Sequence, residues 1–299
     1  MGHIITDLKE AFRRGNVYIQ LIFINVGVFV ITTLIGILLQ LFNRSAAGIF
    51  ELLALPASFT RFAWQPWSIF TYMFMHAGFL HILFNMLWLY WFGALFLYFF
   101  LGKHLRGLYI VGGICGGLLY MISYNVFPYF RPMTAYSTMV GASASVLAIV
   151  VATAYREPNY PVRLLFFGNV RLKYLALIVV LTDLLFITSS NAGGHIAHLG
   201  GALAGLWFAA SLNKGKDITS WVNKALDAIA ALFSAKTWKR KPKMKVHYGN
   251  NTRQNDYDYN ARKKAQSDEI DRILDKLKKS GYESLTTEEK KSLFDASKR

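Results

Sequence analysis

The sequence predicts an all-α membrane protein: a bundle of six transmembrane helices with a small helical appendage in the cytosol. Three observations lead there. Hydrophobic residues make up 54% of the 299 positions, against about 45–50% in ordinary soluble domains. The excess is concentrated in apolar runs between residues 18 and 212, while 214–299 is polar. The charges are sorted too, since residues 214–299 hold 21 of the 33 Lys and Arg and 12 of the 17 Asp and Glu. A formal charge of +16 would suit nucleic acid. Its placement on one tail of a membrane domain is explained more simply by topology and anionic lipid.

Residues 1–17 read as a charged cytosolic segment, with no cleavable signal peptide, because the first apolar run is too long for one. Residues 18–213 read as the membrane domain, with spans at 18–41, 79–101, 107–126, 139–154, 174–188 and 195–212. The fourth and fifth are short for the roughly 20 residues a crossing needs. Short helices are tolerated where they end at a wet cavity inside the protein. With both termini in the cytoplasm, inner ends and loops hold Lys9, Arg13, Arg14, Lys103, Arg106, Arg156, Arg163, Arg171 and Lys173. The outer loops hold only Arg44, Arg61 and Arg131, as the positive-inside rule requires. The first outer loop, rich in Phe and Trp and broken by Pro56 and Pro66, suits the membrane interface. Cys115, the sole cysteine, reads as a small buried apolar residue.

The tail divides in three. Residues 214–249 carry an amphipathic helix, with Ile218, Trp221, Val222, Ala225, Ile229, Leu232 and Phe233 at helical spacing. A run from Lys236 to Lys245 suited to anionic headgroups follows. Residues 250–266 read as a flexible linker. Residues 267–299 read as a helical hairpin, with Ser280-Gly281 as a C-cap and Thr286 with Glu289 as a capping box.

Polar side chains at membrane depth are costly without partners, and a few stand out. Ser143, in Gly141-Ala142-Ser143-Ala144-Ser145, has small flanks that permit close approach. Ser145 lies about 200° around the helix, so at most one of the two faces a given base. His195 and His198 share a helix face, and Gly201 and Gly205 behind them form a GxxxG pattern for close packing. A neutral buried histidine can accept a proton from a serine. His198 is read as that base and His195 as a rim residue. His81 and Asn85, at i and i+4, could supply hydrogen bonds to a developing oxyanion. Asp183, twelve residues before His195, is read as a structural hydrogen-bonding group rather than as a partner of His198. A zinc site built from His76, His81, His195 and His198 is disfavoured, because HExxH and a suitable glutamate are lacking. No metal or cofactor is expected.

Together these residues resemble the rhomboid family of intramembrane serine proteases, of the bacterial six-span type, over about residues 66–212. The resemblance rests on Phe74-Met75-His76-Ala77-Gly78-Phe79-Leu80-His81 running into Asn85, on Gly141-Ala142-Ser143, and on Ala197-His198-Leu199-Gly200-Gly201 with Gly205. It implies Ser143 as nucleophile and His198 as base in a dyad without an acid. His81, Asn85 and the Ser143 amide would stabilise the oxyanion beside Gly141. It also implies a wet cavity opening outward. Ala144 stands where the family often has glycine, Leu147 where a tyrosine commonly lies under the histidine, and no Trp-Arg pair occurs in the first loop.

The expected activity is cleavage of single-span substrates that enter between spans two and five, under a lid at 188–194, in the bacterial inner membrane. A catalytically silent adaptor for transmembrane helices is the alternative. A transporter would require charges along several spans, and only Asp183 is of that kind.

Overall fold

The computed structural model describes residues 15–164, 168–233 and 252–297, with Thr6, Glu10 and Phe12 before them. The chain divides into two compact units, Met1–Thr237 and Trp238–Arg299.

In the first unit, α1 (Val17–Leu41) leads into a loop of short helices, α2 (Ala47–Leu53), α3 (Phe59–Trp64) and α4 (Ser68–Thr71), and one 3-10 turn at Tyr72–Phe74. Then come α5 (Phe79–Phe99), α6 (Gly102–Val126), α7 (Ser143–Arg156), α8 (Leu172–Leu185), α9 (Ala192–Asn213) and α10 (Ser220–Phe233). By length and composition α1, α5, α6 and α9 can each cross a membrane, which makes this an integral membrane protein. The fourth and fifth expected spans are α7 and α8, of 14 residues each. At 1.5 Å per residue each covers about 21 Å, less than a bilayer's hydrocarbon core.

The fourth helix starts later than its apolar run suggests. Thr138–Met139 forms strand β2, paired antiparallel with β1 (Leu55–Pro56) in the register Leu55 to Met139 and Pro56 to Thr138. The first loop is thereby tied to the chain just before Ser143. Between α7 and α8, β3 (Pro161–Leu164) and β4 (Gly168–Arg171) form an antiparallel hairpin that the sequence reading did not anticipate.

The core is a three-helix contact: α9 packs on α6 and α7, and α6 on α7. Small residues set the spacing. A methyl added at Gly116 of α6 would lie 2.6 Å from the Ala144 Cβ and 2.7 Å from the Ala197 carbonyl oxygen. One added at Gly201 would collide with the Ala144 carbonyl. Close backbone approach of this kind holds helices together where lipid is as apolar as leucine. On the near side of α6, buried Asn25 of α1 donates to the Tyr109 hydroxyl (3.0 Å), which donates to the Met73 carbonyl (2.9 Å).

The expected amphipathic helix is α10. It docks on α6 through Asn223 Nδ2, which donates to the Lys103 carbonyl (3.0 Å), and Arg106 Nε, which donates to Asn223 Oδ1 (3.0 Å). The polybasic run at 236–245 lies outside the described residues.

In the second unit, α11 (Thr252–Ser280) is followed by a 3-10 turn and α12 (Thr287–Ser297). The expected flexible linker at 250–266 is corrected: from Thr252 it is helix, continuous with the following segment. No Gly or Pro interrupts residues 252–280, and pairs such as Glu269 with Arg272 (3.1 Å) favour the helix. Gly281 ends α11 with φ of 75°. The capping box forms, with Thr286 N donating to Glu289 Oε2 (2.8 Å) and Glu289 N to Thr286 Oγ1 (3.3 Å). Glu289 also accepts from Lys276 Nζ of α11 (2.8 Å), which fastens the two helices.

Candidate active site

The loop ahead of α7 is held from below. The Gly141 amide donates to the Tyr72 carbonyl (2.9 Å), and the buried Tyr72 hydroxyl donates to the Gly113 carbonyl on α6. Gly141 has φ of 136°, and a methyl there would lie 2.9 Å from His81 Nε2. Glycine is therefore required both for the backbone angle and for the approach of the imidazole.

Ser143 is the first residue of α7. Its N–H belongs to the opening turn, whose amides have no partner inside the helix and carry the positive end of the helix dipole. The two serines are sharply distinguished. Ser145 is fully buried, and its Oγ would be 2.8 Å from a methyl placed on Gly113 of α6. Ser143 is half-buried and opens onto two cavities.

The larger cavity, about 500 Å³, is lined by His81, Asn85, Ser143 and His198, by Thr138–Val140, and by Ser190, Asn191, Gly193 and Gly194. The smaller, about 190 Å³, lies between α5 and α8. Its lining is Phe84, Asn85 and Trp88 on one side, Val179 on the other, and Ser143, Val146, Leu147 and His198 at its base. Ser143, His198 and Asn85 are common to both. The polar site residues expected from the sequence thus come together from α5, α7 and α9.

His81 accepts from the Ala77 amide at Nδ1 (3.4 Å), and its Nε2 is turned toward Gly141. A ring accepting at Nδ1 carries its proton on Nε2 and can donate there. Asn85 Nδ2 donates one proton to the His81 carbonyl (2.9 Å), which leaves the second amide proton for another acceptor. His76, buried, packs edge-on against His81 with ring centres 5.1 Å apart.

Asp183 departs from the sequence reading. Its Oδ1 lies 2.8 Å from Nδ1 of His198 and 2.8 Å from Nδ1 of His195. It is therefore a direct partner of His198, and His195 is more than a rim residue. The twelve-residue separation from His195 reads as depth in the sequence, but α8 stops at Leu185 and α9 starts at Ala192, so half of that separation is turn. In an antiparallel pair, residues equidistant from the turn lie level, and about the midpoint of that turn Asp183 is level with residue 194. A lone carboxylate in an apolar span was the available signal.

Among the described residues, Asp183, His195 and His198 also form a group whose ligand atoms lie within 4.8 Å of one another, so they are the side chains that could hold a metal ion. Their 2.8 Å N–O separations are those of hydrogen bonds.

Residues 63–214 match the Rhomboid domain family, and residues 254–299 match a family of unknown function, DUF6576. The chain is also similar to RHOMBOID-like protein 12, mitochondrial, of Arabidopsis thaliana, with 29% identity over 158 residues, covering 50% of this chain and 47% of the relative. The chain thus spans about half the length of the curated relative it matches.

Proposed function

The chain belongs to the rhomboid family, and on that premise we propose that it is an intramembrane serine endopeptidase, with Ser143 as nucleophile and His198 as general base. The observation that carries this reading is that Ser143, His198 and Asn85 line both cavities, beside His81 and the opening turn of α7.

The chemistry follows from those positions. With His198 Nδ1 occupied by Asp183, Nε2 is the nitrogen left to take a proton. Ser143 Oγ attacks the scissile carbonyl carbon as its proton passes to His198. The oxyanion formed is met by the Asn85 amide, His81 Nε2 and the Ser143 N–H. The C–N bond breaks, and the departing amine leaves with the proton held by His198. Water then attacks the acyl-serine, gives a proton to His198, and releases the acid with Ser143 restored. No cofactor enters these steps.

The slot between α5 and α8 suits lateral entry of a substrate helix, which supports single-span membrane proteins as the substrate class. The turn between α8 and α9, with Ser190 and Asn191 on the cavity wall, acts as the lid, while Gly193 and Gly194 already belong to α9. Charge bias across the loops supports an orientation with both termini in the cytoplasm; the membrane of this reading is a bacterial inner membrane, with the basic tail against anionic lipid.

The test is cleavage of a tagged single-span substrate in liposomes by wild type, Ser143→Ala, His198→Ala and Ser145→Ala. Loss in the first two variants and retention in the third is expected. Labelling of Ser143 by a fluorophosphonate is the companion measurement. A folded protein that neither cleaves nor labels would instead be an adaptor for transmembrane helices.

A further inference from the structure

We infer that Asp183 is a positioning residue, completing a Ser143–His198–Asp183 relay in which its carboxylate holds His198 in the tautomer that leaves Nε2 free to take a proton. This rests on the protease reading above. Three observations support it independently of any resemblance.

The first is geometry. Asp183 Oδ1 is 2.8 Å from His198 Nδ1. An ionised carboxylate only accepts, so the ring nitrogen facing it must carry a proton. A neutral imidazole has one N–H, so its other nitrogen is then the acceptor, and that is the form a base needs.

The second is the way the carboxylate is committed. Its side chain is 6% exposed. Oδ1 takes both histidines, while Oδ2 is buried with no hydrogen-bond partner. Isolation of a carboxylate at this depth is expensive unless it serves what it contacts. A group needed only to join α8 to α9 would not need its oxygen on the ring nitrogen of the proposed base.

The third is the role of His195. Its Nδ1 lies on the same oxygen at 2.8 Å, and its ring meets that of His198 at 6.1 Å between centres. His195 therefore fixes the carboxylate from the helix turn before His198, so Asp183 cannot swing away from the base without breaking a second hydrogen bond.

Asp183→Asn keeps the shape but presents an amide N–H to His198 Nδ1. That favours the opposite tautomer, with the proton on the nitrogen that must receive one from Ser143. The expected result in liposomes is a fall in kcat of about 10²-fold or more with KM nearly unchanged. Asp183→Glu, which restores the carboxylate, should recover at least part of that loss. Thermal unfolding of both variants separates this from misfolding, because a merely structural role would lower Tm while leaving kcat per folded molecule intact.

Should the asparagine variant fail to fold, ¹⁵N NMR of the wild-type histidine rings decides, with His198 expected as the Nδ1–H tautomer at neutral pH. An Nε2–H tautomer in wild type, or a folded Asp183→Asn with wild-type kcat, would overturn the proposal. Failure of the protease reading looks different: wild type neither cleaves nor labels at Ser143, whatever the tautomer. Addition of a chelator to wild type should leave the rate unaltered. Loss of activity with recovery on adding zinc would reassign the three side chains to a metal and overturn the relay.

Discussion

Replacing Gly116 with alanine tests whether small residues in the three-helix contact set the geometry of the site. The added Cβ would lie 2.6 Å from Ala144 Cβ and 2.7 Å from the Ala197 oxygen. Ala144 follows Ser143 on α7, and Ala197 precedes His198 on α9, so one methyl presses on both candidate catalytic residues. Carbon atoms rest at about 3.5–4.0 Å, so α7 must retreat by roughly 1 Å. Neither contact is the flexible end of a long side chain. Overpacking of this kind costs about 1–3 kcal/mol, offset by up to about 1 kcal/mol from alanine's better helix propensity.

The effect on rate should exceed the effect on stability, because a displacement near 1 Å can lower a rate about 10²-fold. The assay is kcat for a tagged single-span substrate in liposomes, alongside thermal unfolding. Gly27→Ala on α1, where a methyl meets nothing within 4 Å, is the control, expected to match wild type. Wild-type kcat and Tm in Gly116→Ala would refute the reasoning.

Asn85→Ala should lower kcat by about 10²–10³-fold and slow fluorophosphonate labelling of Ser143, whose phosphonyl oxygen draws on the same donors, as cleavage kinetics and timed gel labelling would report. Gly141→Ala should lose both cleavage and labelling, since it strains φ of 136° and pushes His81 aside, and circular dichroism should show the helices intact. A pH effect is expected at the base of α10. There Asp217 Oδ1 accepts from Thr219 N (2.8 Å) and Oγ1 (2.6 Å). Burial works to raise this carboxyl, but the Thr219 hydrogen bonds and His104 hold it below its usual range. Its stabilising effect is thus complete above the ordinary carboxylate value near about 4 and lost as pH falls through the lowered folded value. Hydrogen exchange of 217–233 should rise only in that acid range, and Asp217→Asn should raise it already at neutral pH.

Much of this protein is determined by local signals that tertiary structure has no freedom to reverse. Long apolar runs must become helices in lipid, since every backbone polar group needs an internal partner, and α1, α5, α6 and α9 follow their runs closely. The capping box at Thr286 and Glu289 and the stop at Gly281 are equally local. Ser143, His198, His81 and Asn85 were legible because reactive side chains among small residues are rare at membrane depth. Other features rest on contacts distant in sequence. Strand β2 forms because β1, some eighty residues earlier, pairs with it, and this moves the start of α7 to Ser143. That Ser143 and not Ser145 opens onto the cavities is decided by α6, whose Gly113 face receives the second hydroxyl. Asp183 meets both histidines because the short turn between α8 and α9 brings it level with the first turns of α9. Hydropathy marks where apolar residues lie but not where a helix gives way to a turn, and a three-residue difference at each end decides which side chains lie level.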